Sequence, residues 1–216
     1  MVYRIIKRLI DTVAGITGVL VFSIPMAAVY AALKLEKPGP AAFVRVRLGR
    51  GGERFRMYKF ASMITRTEEE DKKFIERWKK EDPELWEKYK ANNFKLENDP
   101  RVTKLGRVIR KYSLDELPQF FNILKGEMSL VGPRAYFPEE LEEYVREHPE
   151  AKEDVDLILT VKPGITGVWQ VSGRSDTSFE ERIKIDVGYA SRRSLLEDVG
   201  IILATPAAVF KGKGAY

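Results

Sequence analysis

Ser113-Leu114-Asp115-Glu116-Leu117-Pro118-Gln119, running on through Asn122 and Lys125-Gly126-Glu127-Met128-Ser129-Leu130 to Val131-Gly132-Pro133-Arg134, is the stretch on which the reading of this chain turns. It sets two adjacent carboxylates, Asp115 and Glu116, between two arginines, Arg110 and Arg134. Ser113-x-x-Glu116 has the spacing of a capping box, in which the serine caps a helix start and the glutamate bonds back to it. Asp115 would then lie at the positive end of the helix dipole, which predicts an ionised carboxylate with a lowered pKa. On that reading the acids only begin a helix. The same helix start would also be an anion site, because its free N–H groups point outward. A carboxylate there can act as a nucleophile on phosphorus, provided that cations offset the repulsion. Glu116 is a candidate Mg²⁺ ligand, and Arg110 and Arg134 are candidate bidentate phosphate clamps.

Composition narrows the chemistry. The 216 residues contain no cysteine, which excludes disulfides, thiolate nucleophiles and cysteine-ligated metals. The one histidine, His148, lies in Arg146-Glu147-His148-Pro149-Glu150, the setting of a solvated helix end. Acid–base and nucleophilic work therefore falls to carboxylates. A formal net charge of +5 fits a nucleic acid, an anionic membrane surface or a phosphorylated substrate, and does not choose among them.

The N-terminal segment points to a membrane. No charged residue occurs from Thr12 to Leu33, and a straight helix of that length would extend about 33 Å, enough to cross a hydrocarbon core. Ser23 and Pro25 interrupt its middle, where proline removes a backbone donor and kinks a helix. Basic residues flank both ends: Arg4, Lys7 and Arg8 before it, Lys34 and Lys37 after it. Both ends therefore favour the cytoplasmic side. A helix that enters, breaks at Ser23–Pro25 and returns satisfies both. The residues alone leave this re-entrant hairpin and a single span open; a cleaved signal peptide fits poorly, for want of a cleavage site.

After Lys37-Pro38-Gly39-Pro40, the segments 42–48 and 54–60 partly alternate about Gly49-Arg50-Gly51-Gly52, which predicts a β-hairpin with basic residues, Lys59 among them, along one face. Residues 65–97 carry charges of both signs and an aromatic stripe, Phe74, Trp78, Trp86 and Tyr89, in two helices parted by Pro83. Such a stripe packs on a core, or else rests at a bilayer interface. Glu97-Asn98-Asp99-Pro100 is a turn signal, 103–111 an amphipathic basic helix, 162–167 and 170–174 glycine-rich loops, 179–191 a helix, and 195–210 an apolar helix broken by Pro206 that fits a bilayer surface. The expected fold class is α+β, mainly helical. Its parts are a re-entrant N-terminal membrane helix, amphipathic interface helices and a small β-hairpin, divided into a membrane-anchoring 1–36 and a catalytic domain over 37–216.

These blocks, in order, carry a family resemblance. Asp99-Pro100-Arg101-Val102-Thr103-x-x-Gly106, Arg110-x-x-Ser113-Leu114-Asp115-Glu116-Leu117-Pro118-Gln119 and Gly126-Glu127-Met128-Ser129-Leu130-Val131-Gly132-Pro133-Arg134 resemble the bacterial sugar transferases, the monotopic polyprenyl-phosphate phosphoglycosyl transferases. So do Lys37-Pro38-Gly39-Pro40, Tyr58-Lys59-Phe60, Lys162-Pro163-Gly164-Ile165-Thr166-Gly167 and Asp186-x-x-Tyr189. The resemblance implies transfer of sugar-1-phosphate from a UDP-sugar to a polyprenyl (undecaprenyl) phosphate, with release of UMP, as the first membrane step of glycoconjugate or exopolysaccharide synthesis. It implies a ping-pong route with Asp115 as nucleophile and Glu116 supporting Mg²⁺. Lys59, Arg110, Arg134, Gln170 and Arg174 would bind substrate, and a re-entrant helix broken at Ser23 and Pro25 would sit in the cytoplasmic face of the bacterial inner membrane. The implied partners are the UDP-sugar, polyprenyl phosphate and membrane lipids, with no nucleic acid; monomer and homodimer both stay open. Ala61 stands where the family usually has arginine, removing a cation, and Ala135 where a second proline is common, loosening the loop. The chain resembles the minimal catalytic unit, without the N-terminal helices and domain of longer members. The alternative is a membrane-anchored, non-catalytic nucleotide-sugar-binding protein, in which the acids serve only as a cap. A basic nucleic-acid binder is disfavoured by the apolar anchor.

Overall fold

The computed structural model describes residues 2–36, 39–64, 67–91, 96, 98–172 and 177–211. Its first two helices, α1 (Val2–Val21) and α2 (Ser23–Glu36), meet at a 56° bend. The bend has a local cause. Pro25 has no N–H to give to the Val21 carbonyl, and the Ser23 hydroxyl donates into the preceding turn, to the Leu20 carbonyl at 2.7 Å. Among the described residues no single helix is long and apolar enough to cross a membrane; the bent pair together has that length and composition.

Helix α1 reverses the usual amphipathic order. Its buried face is polar or small, with Asp11, Gly15 and Gly18, while Ile5, Leu9, Val13, Ile16 and Leu20 form an exposed apolar stripe. The glycines are there for close approach. A Cβ on Gly15 would overlap Leu124 and one on Gly18 the Phe120 ring, so α1 lies directly on α6 (Gln119–Lys125). Phe22, at the bend, stacks on Phe120 with ring centroids 5.6 Å apart.

The expected hairpin forms as β1 (Ala42–Leu48) and β2 (Arg54–Phe60), antiparallel, with Arg45 opposite Met57 and Phe43 opposite Lys59. Its cations do not all share a face. Arg45, Arg47 and Lys59 lie on the side of buried Phe55 and Met57, whereas Arg54 and Arg56 take the other side. Helices α3 (Glu68–Glu81) and α4 (Pro83–Ala91) part at Pro83 as expected, and their stripe packs inward. Trp78 and Tyr89 are buried against Arg101, whose guanidinium grips Asp99 at 2.6 Å and the Tyr89 hydroxyl at 2.9 Å. The Asp99–Arg101 block is thus a mount for these helices.

Helix α5 (Lys104–Lys111) is capped by the Thr103 hydroxyl, which accepts from Gly106 N–H. A second small sheet pairs β3 (Ser129–Val131) with β4 (Gly164–Thr166) in parallel. The segment 162–167, expected to be a loop, therefore contains a strand, and 168–172 forms the short helix α9 (Val168–Ser172). Backbone proximity explains the glycines here. A Cβ on Gly164 or Gly167 would run into the backbone of Gly132, so the two glycine-bearing blocks fit together as one unit. Helices α7 (Pro138–Glu147), α8 (Lys152–Ile158), α10 (Phe179–Arg192) and α11 (Leu195–Lys211, with Pro206 inside it) complete the chain. His148 is the C-cap of α7 and half-exposed, as its setting suggested. Ala135 lies in the core beside Phe120 and Met128, so the loop there is packed rather than loose, and Ala61 is buried where its N–H donates to the Ala41 carbonyl.

Candidate active site

The acid pair does not cap a helix. Ser113 adopts a left-handed backbone (φ 54°, ψ 23°) and its side chain makes no cap bond. Leu114–Glu116 form one turn of 3₁₀-helix, and α6 begins only after Pro118. Pro118 has no N–H to contribute, and the left-handed serine turns the chain before a capping box can close. The Glu116 carboxylate reaches outward, 3.2 Å from Lys59 Nζ.

Lys59 organises the pair. Its ammonium lies 2.9 Å from Asp115 Oδ2 and 3.2 Å from Glu116 Oε1. The two acids differ in burial: the Asp115 side chain is 4% exposed and that of Glu116 36%. Burial raises the Asp115 pKa; Lys59 pulls it down, Glu116 pushes it up, Arg110 opposes, and the net result is above the ordinary carboxylate value. That reverses the lowering expected from a helix dipole. For Lys59, burial acts to lower the pKa, but Asp115 and then Glu116 outweigh it, so the ammonium is held charged.

Lys59 is itself aimed by a buried amide. Asn122, on the inner face of α6, donates to the Arg56 carbonyl at 2.8 Å and to Glu127 at 2.7 Å, and accepts from Tyr58 N–H at 3.0 Å. It bolts β2 to α6 at the residue before Lys59. An asparagine on the buried side of Gln119-Phe120-Phe121-Asn122-Ile123 was the visible signal, since a buried amide must have partners.

The pair opens on a cavity of about 1080 Å³. It brings together Lys59, Arg110, Asp115, Glu116, Arg134 and Gln170, six of the seven residues expected to act on substrate; Arg174 lies outside the described residues. The hairpin adds Arg45 and Arg47. One wall is apolar, with Phe22 from the helix bend, Leu130, Ile165, and Pro206, Val209 and Phe210 from α11. Among the described residues, no three acidic or histidine side chains gather as a metal cage.

Other expected blocks turn out to be braces. Asp186 accepts from the Tyr136 hydroxyl at 2.7 Å and from Arg134 N–H at 3.1 Å, which fixes the Gly132-Pro133-Arg134 turn; its burial raises its pKa to about 6. Tyr189 donates to Asp198 at 2.6 Å, and Asp198 pairs with Lys7 at 2.7 Å. Arg8 donates to the Ile123 and Leu124 carbonyls at the end of α6, while Asp11 accepts from Ser129 Oγ and Leu130 N–H. Lys7 and Arg8 are thus spent on internal bonds rather than left as free flanking cations. Ser23 and Pro25 sit at the bend, as the sequence indicated.

A carboxylate dyad governed by one lysine thus opens on a cationic cavity beside a broken apolar helix pair. Residues 2–212 match the family model described as bacterial sugar transferase, and the chain belongs to that family. It is 43% identical to the undecaprenyl-phosphate galactose phosphotransferase of Salmonella typhimurium, over 99% of this chain and 42% of that protein. It is 38% identical to the exopolysaccharide production protein ExoY of Rhizobium meliloti, over 97% of this chain and 88% of that protein. Its identity to the UDP-glucose:undecaprenyl-phosphate glucose-1-phosphate transferase of Escherichia coli is 36%, over 100% of this chain and 42% of that protein. The chain spans less than half the length of two of these three relatives.

Proposed function

We propose that this chain transfers sugar-1-phosphate from a UDP-sugar to a polyprenyl (undecaprenyl) phosphate and releases UMP, through a phosphosugar carried on Asp115. The observation that carries the reading is the buried Asp115 held by Lys59 at 2.9 Å, facing a cavity that also collects Arg110 and Arg134. The names of the relatives agree with it.

In the first half-reaction an Asp115 carboxylate oxygen attacks the sugar-bearing phosphorus. The bond from that phosphorus to the bridging oxygen breaks, and UMP leaves with the electron pair. In the second, an oxygen of the polyprenyl phosphate attacks the same phosphorus, the acyl-phosphate bond breaks, and Asp115 returns to a carboxylate. No proton transfer is required, which suits a site without histidine. Lys59 keeps Asp115 ionised against its burial and shields it from the incoming phosphates. Arg110 and Arg134 orient those phosphates. Glu116, the more open acid, suits Mg²⁺, which commonly takes one or two carboxylates and completes its shell with substrate phosphate and water. The bound ion would neutralise diphosphate charge.

The exposed apolar stripe of α1 and the buried polar face behind it support an anchor in lipid over residues 1–36, and a catalytic domain over 37–216. The bend at Ser23–Pro25, with exposed Arg4 before it and exposed Lys34 after it, favours re-entry on the cytoplasmic face of the bacterial inner membrane. Exchange of labelled UMP into UDP-sugar, without any lipid acceptor, tests the covalent route. Asp115→Asn should abolish it, and exchange retained in that variant would eliminate Asp115 as the carrier.

A further inference from the structure

Arg47 is a buried cation in want of an anion. It is 8% exposed and its guanidinium lies over the Phe137 ring at 3.1 Å, yet its Nε and Nη1 have no hydrogen-bond acceptor among the described residues. The nearest carboxylate, Glu140, is 3.9 Å from Nη1, too far for a hydrogen bond. That carboxylate is already engaged elsewhere. Its Oε2 accepts from Phe137 N–H at the start of α7, and its Oε1 is 3.4 Å from Arg134 Nη2.

Arg134 repeats the pattern, with a buried Nε that has no acceptor among the described residues. Arg182, behind it, is buried too, and both guanidiniums lie over Trp169, at 5.6 and 4.5 Å. Burial, then the charge of Arg134, lowers the pKa of Arg47 to about 9 and that of Arg182 to about 10. Arg134 repels both Arg47 and Arg182, each of the three has a donor orphaned among the described residues, and an oxyanion would relieve both the repulsion and the missing bonds. Arg47 and Arg134 line the same cavity as Asp115.

Resting on the function proposed above, we infer that Arg47 and Arg134 form one oxyanion subsite used twice. It holds the nucleotide phosphate of UDP-sugar or UMP in the first half-reaction, and the polyprenyl phosphate in the second. The shared ligand chemistry is a phosphate oxyanion, carried by a monoester in UMP and in polyprenyl phosphate, and each occupant must leave before the other enters.

The test uses the full chain in lipid nanodiscs, comparing wild type with Arg47→Met and Arg47→Lys. One arm reads the KM for UMP in exchange of labelled UMP into UDP-sugar; a second reads the KM for undecaprenyl phosphate at saturating UDP-sugar; a third reads binding of uridine, which lacks phosphate. Loss of one charge-assisted bond should raise both KM values together by about ten- to a hundredfold in Arg47→Met, leave uridine binding unchanged, and give Arg47→Lys a smaller defect of the same pattern. Melting of the wild type should show UMP raising Tm more than uridine does, with the difference reduced in Arg47→Lys and reduced further in Arg47→Met. If only one KM moves, the subsite is not shared; if neither moves, Arg47 does not bind phosphate. Should Arg47→Met fail to fold, Arg47→Lys carries the same readouts, and wild-type values for its two KM constants overturn the inference. Exchange present in wild type but insensitive to Arg47 removes the subsite alone; no exchange in wild type removes the proposed function with it.

Discussion

Lys59→Met isolates what the lysine does for Asp115. Methionine keeps most of the stem and deletes the ammonium that lies 2.9 Å from Oδ2. At that distance, with an effective dielectric constant of about 20, the direct attraction is about 6 kcal/mol. Breaking a buried pair while its partner stays charged costs about 3–5 kcal/mol. Asp115 escapes much of that cost by binding a proton. With the lysine gone, burial and Glu116 both push its pKa further up and only Arg110 opposes them. On the function proposed above, that proton inactivates Asp115 as a nucleophile. At about 1.36 kcal/mol per tenfold change, exchange of labelled UMP at pH 7 should fall about a hundred- to a thousandfold.

The assay is the exchange rate of wild type and variant from pH 6 to 9.5. The variant's acid limb should move to higher pH, so that its deficit narrows as pH rises. Stability should show the opposite trend. An acid with a raised folded pKa stabilises the fold below its unfolded value and loses that contribution as pH climbs through the folded value. The variant's Tm deficit should therefore widen from pH 5 to pH 9. A rate loss of constant factor across the whole range would refute the reasoning, and would make Lys59 a substrate contact instead of the group that sets the Asp115 charge.

Two further outcomes follow from packing and burial. Gly18→Ala places a Cβ against the Phe120 ring, and such overpacking should cost about 1–3 kcal/mol, read as a fall in Tm with the exchange rate reduced as α6 shifts; an unchanged Tm would show that α1 does not press on α6. Asp186, with its pKa raised to about 6 by burial, contributes stability fully present below the unfolded value near 4 and lost as pH rises through 6. Asp186→Asn keeps an acceptor for Tyr136 and Arg134 N–H and should remove that dependence, gaining up to about 3 kcal/mol over wild type at pH 7 relative to pH 4. Parallel pH–stability curves for the two proteins would overturn that account.

How much of this was legible in the sequence depends on the range of the physics involved. The hairpin, the Pro83 break, the amphipathic basic helix now seen over 104–111 and the bend at Ser23–Pro25 follow from short-range rules of alternation, helical period and proline chemistry, and each stands where those rules placed it. The capping box failed because it was a local rule overruled locally: Pro118 and a left-handed Ser113 delay the α-helix from 114 to 119. Glycine blocks were harder. Gly164 and Gly167 read as parts of a glycine-rich loop in one dimension, but their lack of a Cβ lets them meet the backbone of Gly132, more than 30 residues away in sequence.

The same distinction runs through the site. Asp115, Glu116, Arg110 and Arg134 could be singled out because they cluster within 25 residues, and Lys59 only because the Tyr58-Lys59-Phe60 block carried a resemblance. That Lys59 governs the acid pair, and through Asn122 is aimed by α6, depends on contacts spanning 56 and more residues that no spacing rule reaches. Charge signs mislead in the same way. Lys7 and Arg8, counted as flanking cations that orient an anchor, are bonded to Asp198 and to the end of α6. The residues that brace α1 are thus connected to those that brace the dyad: Arg8 and Asp11 hold the two ends of the α6–β3 segment, and α6 carries Asn122, which aims Lys59. A shift of α1 would reach Asp115 along that path, which is why Gly18→Ala should register in the exchange rate as well as in Tm.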